Sequence, residues 1–235
     1  MLVRVVLFLP FFLILHHTVQ SGFIEGEPCS DRNTALLNPT RPVWPIDRHN
    51  IRCVDMRNMG NTSWFTYIKK MKNVTTIFAD SMMLKRIPRK VVSSLPKLEV
   101  LDVTNNSIQR IHPLMFKHNP KFVVLLLSNN KLLLPKKRPF LMSQSLTTLY
   151  LSKNYIKNIP VMTFTGLPML RELFLDSNEL VSINPKAFKH LSNLKMLHLG
   201  NNLLRFIPPK ETMGPNLVRY IIKSNPRGSD IEDFQ

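Results

Sequence analysis

The chain has 235 residues, with 32 Lys and Arg against 15 Asp and Glu, and a formal charge of +17. That excess favours acidic partners: sulfated glycans, an anionic membrane surface or acidic proteins. Seven glycines leave little room for a phosphate-cradling loop, and two cysteines exclude a disulfide-dense scaffold.

The N-terminus carries Arg4, an apolar run from Val5 to Leu15, and then polar residues. The run is shorter than the roughly 20 residues that span a bilayer, and Pro10 interrupts it. It reads as a secretory signal over residues 1–21, cleaved after Ser21, with Val19 and Ser21 at the positions a signal peptidase reads. Cleavage removes only Arg4 among the charged residues and leaves about +16. No other stretch is apolar for long enough to span, so the expectation is a secreted, extracellular chain without a transmembrane segment. The acidic, short C-terminal SDIEDFQ is unlike a lipid-anchor signal.

Residues 22–73 hold both cysteines, Cys29 and Cys53. In a secreted chain a lone pair usually closes a disulfide, and no C-x-x-C suggests redox work. Ile51 to Met56 can add an edge strand, and Trp64, Phe65, Tyr67 and Ile68 can pack over it. Three sequons, at Asn61, Asn73 and Asn105, are candidate N-glycosylation sites.

From Val74 onward a pattern returns every 24 residues, starting at 74, 98, 122, 146, 170 and 194, with a partial copy from Leu217. Apolar residues hold positions one, four and six, as in Leu98, Leu101 and Val103 or Leu146, Leu149 and Leu151. A fixed period of this size means a solenoid. Positions four and six lie in a short strand and point into the core by alternation, and sideways stacking makes one parallel sheet. Position nine is Asn: Asn106, Asn130, Asn154, Asn178, Asn202 and Asn225 should form a buried ladder, since the amide both donates and accepts. Position fourteen is mostly Ile and position nineteen mostly Phe, which fill the convex side. Met82 replaces the ladder Asn in the first copy. Pro135 replaces Ile in the third, so Leu132 to Phe140 should be irregular.

This pattern resembles the leucine-rich repeat family, in the 24-residue form common in extracellular proteins, over residues 74–235. The resemblance implies an α/β solenoid: a right-handed horseshoe of about seven turns, with a parallel β-sheet on the concave face and an irregular or 3-10 convex side. It also implies that residues 22–73 form an N-terminal cap covering the hydrophobic edge of the first repeat, held by Cys29 and Cys53. No cysteine follows Ser224-Asn225-Pro226, where many relatives begin a second cap. The polar tail, a partner, or truncation of the gene product can each account for that.

The resemblance places a ligand on the concave face. Position five gives Phe78, Asp102, Leu126, Tyr150, Phe174, His198 and Ile221; position three includes Val100 and Glu172. Both rows point away from the core. An exposed apolar row marks an interaction surface, so Phe78, Val100, Leu126, Tyr150, Phe174 and His198 are the expected ligand-binding residues, centred on Tyr150 and Phe174. The expected function is non-catalytic recognition of an extracellular or cell-surface protein, in adhesion, signalling or innate immunity. The alternative is a matrix component binding a sulfated glycan through the clusters Lys69–Lys72, Lys85–Lys90 and Lys136–Arg138. Nucleic acid fits the charge but not the compartment. No enzyme is expected: His49, His112, His118, His190 and His198 make no H-E-x-x-H or other metal spacing, and no G-x-S-x-G elbow exists. No cofactor is expected.

Overall fold

The computed structural model describes residues 34–36, 50–59 and 65–226. The signal segment, Cys29, His49, Asn61, Trp64 and the tail 227–235 lie outside the described residues.

Among the described residues nine three-residue strands stack in chain order into one parallel sheet. They are β1 (Thr34–Leu36), β2 (Cys53–Asp55), β3 (Thr76–Phe78), β4 (Val100–Asp102), β5 (Val124–Leu126), β6 (Thr148–Tyr150), β7 (Glu172–Phe174), β8 (Met196–His198) and β9 (Arg219–Ile221). Register pairs Thr76 with Val100, Val124, Thr148, Glu172 and Met196 in turn, a step of 24 residues each time. Strands β3 to β9 are the seven turns of the repeat. Two more strands precede them, and Val54 of β2 sits in register with Ile77.

The core lies on one side of this sheet. Ile77, Leu101, Leu125, Leu149, Leu173 and Leu197 point into it and are almost fully buried. Such burial is worth roughly 1.5–3 kcal/mol per large aliphatic side chain. Phe116, Phe140, Phe164 and Phe188 close the convex side. Phe164 and Phe188 meet at 5.8 Å, while Phe116 stacks on Phe122 at 3.8 Å. The convex return carries one-turn helices at Phe65–Ile68 and Arg89–Val92 and 3-10 turns at Pro185–Ala187 and Lys210–Thr212. In the first helix Phe65 and Ile68 share a buried face, as an i, i+3 pair must. Tyr67 falls on the other face and is half exposed.

Each strand is left through a residue with positive φ at position eight: Ser81, Asn105, Asn129, Lys153, Ser177, Asn201 and Ser224. That left-handed step, which Asn tolerates better than most residues, presents the next residue inward. There Asn154 Oδ1 accepts from the Leu132 N–H at 3.1 Å, and its amide donates to the carbonyls of Leu127 (3.1 Å), Leu151 (3.0 Å) and Ser152 (3.2 Å). Asn106, Asn130, Asn178 and Asn202 make the same set, and Asn225 most of it. These bonds satisfy backbone groups that the three-residue strands leave unpaired. Met82, without an amide, fills its place with a buried thioether, and its N–H donates to Asn106 Oδ1 at 3.1 Å.

The stretch from Leu132 to Phe140 has neither helix nor strand. Its end is held where the Phe140 N–H donates to the Thr163 carbonyl and the Ser143 N–H to the Gly166 carbonyl, both at 2.9 Å. Gly166 is needed for that approach. A Cβ there would collide with the Leu141 carbonyl oxygen and lie 2.9 Å from Met142 Cγ. Gly166→Ala is expected to cost about 2 kcal/mol in urea unfolding, in the range of overpacked sites; an unchanged midpoint would show that the turn yields.

The concave face as a candidate recognition site

Positions three and five of each repeat, the two ends of its strand, project to the side opposite the core, and register sets like beside like. Parallel strands stand about 5 Å apart, close enough for flat rings to lie face to face. Tyr150 and Phe174 do so, with centroids 4.2 Å apart and planes 1° from parallel. His198 meets the far side of Phe174 edge-on at 6.4 Å. Val124, Leu126 and Met196 complete an apolar cluster separate from the solenoid core, with Val100 and Ile221 at its margin.

The row is contiguous, but it is not exposed. Leu126, Tyr150 and Phe174 are 2–3% accessible, because each side chain shields the next across the strand spacing and the position-three residues close in from the side. Phe78, Val100 and His198 are half-buried. The structure therefore brings Val100, Leu126, Tyr150, Phe174 and His198 together, and sets Phe78 apart. Phe78 lies under the guanidinium of Arg57, 5.9 Å from its ring centre, in a charged neighbourhood at the start of the repeats.

That neighbourhood is acidic. Arg57 forks onto Asp55, with Nε 3.0 Å from both carboxylate oxygens. Asp80 and Asp102 follow on the next two turns. Burial pushes the Asp102 carboxyl up to about 6, even though the Thr104 N–H donates to it at 2.8 Å. Burial raises Asp80 as well.

At the other end of the cluster Ser152, Asp176 and His198 join three successive turns. Ser152 Oγ donates to Asp176 Oδ1 at 2.6 Å, and His198 Nδ1 lies 2.9 Å from the same oxygen. Burial alone would raise the Asp176 carboxyl, but its bonds to His198 and Ser152 win and hold it below the usual range. The serine hydroxyl is bound to the carboxylate and not to the imidazole, so the three groups are not in the order of a serine–histidine–carboxylate relay. Strand position five draws attention to His198 in the sequence, but its partners stand at position seven, just beyond the strand. Among the described residues no group of three or more His, Cys, Asp or Glu could hold a metal ion.

Three buried hydroxyls on this face, Thr104 Oγ1, Ser128 Oγ and Tyr150 Oη, have no hydrogen-bond partner among the described residues. Burial, with the nearby charges of Glu172 and Asp176, also pushes the Tyr150 phenol above its ordinary value. Asn73 is half-buried, with its Oδ1 accepting from Lys97 Nζ at 2.6 Å; Asn105 is exposed, with its Oδ1 accepting from Asn129 Nδ2 at 2.6 Å. His112, His118 and His190 are exposed on the convex return. No helix among the described residues is long and apolar enough to cross a membrane.

The leucine rich repeat family model matches residues 72–132, 144–204 and 168–222. It skips the irregular stretch around Pro135. Among solved structures the chain is similar to an internalin from Listeria monocytogenes, with 17% sequence identity and a TM-score of 0.57. The match covers 78% of this chain and 51% of the internalin, so the chain spans about half the length of that structure. At that identity the likeness shows the fold alone. No curated protein sequence matches the chain. With family matches over more than half of its length, on strands that stack as the family's do, the chain belongs to the leucine-rich repeat family.

Proposed function

We propose that this chain is a secreted, glycosylated, non-catalytic recognition module that binds an extracellular or cell-surface protein on its concave face. Residues 1–21 are the cleaved signal. Residues 22–73 form the N-terminal cap, tied by a disulfide between Cys29 and Cys53; no free thiol among the described residues supports the pairing. Asn61, Asn73 and Asn105 are the glycan acceptors.

One observation carries the reading. A sheet with its core on one side needs no apolar cluster on the other, where a solvated face is usually polar. Here Tyr150, Phe174, Leu126, Val124 and Met196 gather on that other side, and they include a buried phenol oxygen with no partner among the described residues. An unmet buried hydroxyl costs about 1–3 kcal/mol, a cost that a bound protein's donor or acceptor removes. Aromatic anchors beside such a polar handle are the residues that dominate interfaces. The half-buried margin of Val100, His198 and Ile221 would carry the rest of the contact.

The test is capture on cell-surface and extracellular proteins, washed at physiological and then high salt. A discrete protein should stay at high salt, since apolar contacts are not screened. Tyr150→Phe should leave the unfolding midpoint unchanged or raised, yet weaken binding at least tenfold. Tyr150→Ala with Phe174→Ala should abolish it. Unaltered affinity in both variants would take the partner off the concave face.

A further inference from the structure

The cations on the convex flank of the first three repeats form one surface, although the sequence shows them as separated clusters. Arg86, Arg89 and Lys90 stand on the first repeat, Arg110 on the second, and Lys136 and Arg138 on the third, all exposed. Two sets of contacts join the three. Arg89 reaches His112 across the repeat boundary, its guanidinium nitrogen 3.3 Å from Nε2. The irregular segment carrying Lys136 and Arg138 is pinned against the second repeat at both ends, by the Leu133 N–H on the Gln109 carbonyl (2.8 Å) and the Met142 N–H on the Pro113 carbonyl (2.9 Å). The segment that departs from the repeat pattern thus bows out beside Arg110 and His112.

Among the described residues no carboxylate pairs with this flank. From Ser81 to Arg171 the only acidic residues are Glu99 and Asp102, both in or beside β4. The ion pairs among the described residues are Arg57 with Asp55, Lys157 with Glu179, and His198 with Asp176; none uses a cation of this flank. The carboxylates of this part of the chain are drawn to the sheet side, so the two sides differ in sign as well as shape. Unpaired cations held side by side repel, which disfavours the fold unless an anion sits among them.

We infer that this convex band is a second binding surface, distinct from the concave face, for a linear sulfated polysaccharide. Guanidinium groups supply fork-shaped donors that match oxyanions in pairs, and four of these six cations are Arg. A linear polyanion can follow a flank that curves across three repeats. A flat membrane would touch only part of it. The choice of polysaccharide over nucleic acid rests on the extracellular reading above.

The experiment uses the full chain made in a secretory host, with heparin, desulfated heparin and phosphatidylserine vesicles as probes. Heparin should bind with an affinity that falls steeply with salt, as counterion release requires, and desulfated heparin should not. Arg86→Gln, Arg110→Gln and Arg138→Gln together should weaken heparin binding at least tenfold and lower its salt dependence. Lys189→Gln, Lys195→Gln and Arg205→Gln together, which remove the same three charges from exposed positions on the last repeats, should change it less than twofold. Equal losses in the two variants would reduce the effect to net charge and overturn the proposal. Equal binding of desulfated heparin, or tighter binding to the vesicles than to heparin, would overturn it too. Export and an enzymatic deglycosylation shift are read separately. A chain that stays in the cell yet binds heparin through the band keeps the anion surface and overturns the extracellular reading.

Discussion

Asn154→Ala is expected to lower the unfolding free energy by about 3–5 kcal/mol. Its effect lies in the turns around it more than in its own. The Leu132 N–H is left buried with no acceptor, while the Leu127, Leu151 and Ser152 carbonyls each lose one of their donors. Asn154→Asp is worse at neutral pH: it restores the acceptor but turns a charged oxygen toward three carbonyls. Asn158→Ala, on an exposed loop four residues away, should stay within about 0.5 kcal/mol of the parent. Urea unfolding of the three variants separates these outcomes. Equal midpoints for Asn154→Ala and Asn158→Ala would mean that water or a backbone shift takes over the ladder's work.

Asp102→Asn is expected to act in the opposite direction. The carboxyl is buried among Thr104, Asp80 and Arg57, and burial holds it near 6 against an ordinary value of 3.8. Because the folded value is raised, the stability this group contributes as a neutral acid is fully present below about 3.8. It is lost as the pH rises through about 6. The difference is of the order of 3 kcal/mol. Asn keeps an oxygen for the Thr104 N–H and carries no charge, so the variant should be more stable than the parent at pH 7 and equal to it near pH 3.5. Unfolding midpoints across that range test the sign. A parent whose stability is flat between pH 4 and 7 would show that the carboxyl is solvated.

The period, the strand positions, the parallel stacking and the Ile and Phe columns of the convex side could be read from the chain because each repeats in sequence what it repeats in space. The irregular third repeat could be read from Pro135 for the same reason: it breaks a column. What could not be read depends on distance between columns. The accessibility of Tyr150 and Phe174 follows from how closely neighbouring rings approach across strands, and alternation along one strand says nothing of that. The Ser152, Asp176 and His198 array mixes positions seven and five from three repeats, a diagonal that column-by-column reading passes over. The continuity of the basic band depends on where an irregular segment is pinned, which the same proline makes unreadable. Strand β1 lies before the repeats, where no period announces it.

The asparagine ladder has a direction. Each amide reaches toward the N-terminus: Asn130 serves Ile108 and Val103, Asn178 serves Ile156 and Leu151, Asn225 serves Leu204 and Leu199. A turn's polar backbone is therefore completed by its successor. On a ribosome, where the chain emerges N-terminus first, every newly formed turn waits about 24 residues for the side chain that finishes it. An N-terminal fragment that ends after any one turn therefore leaves that turn's inward N–H without its acceptor.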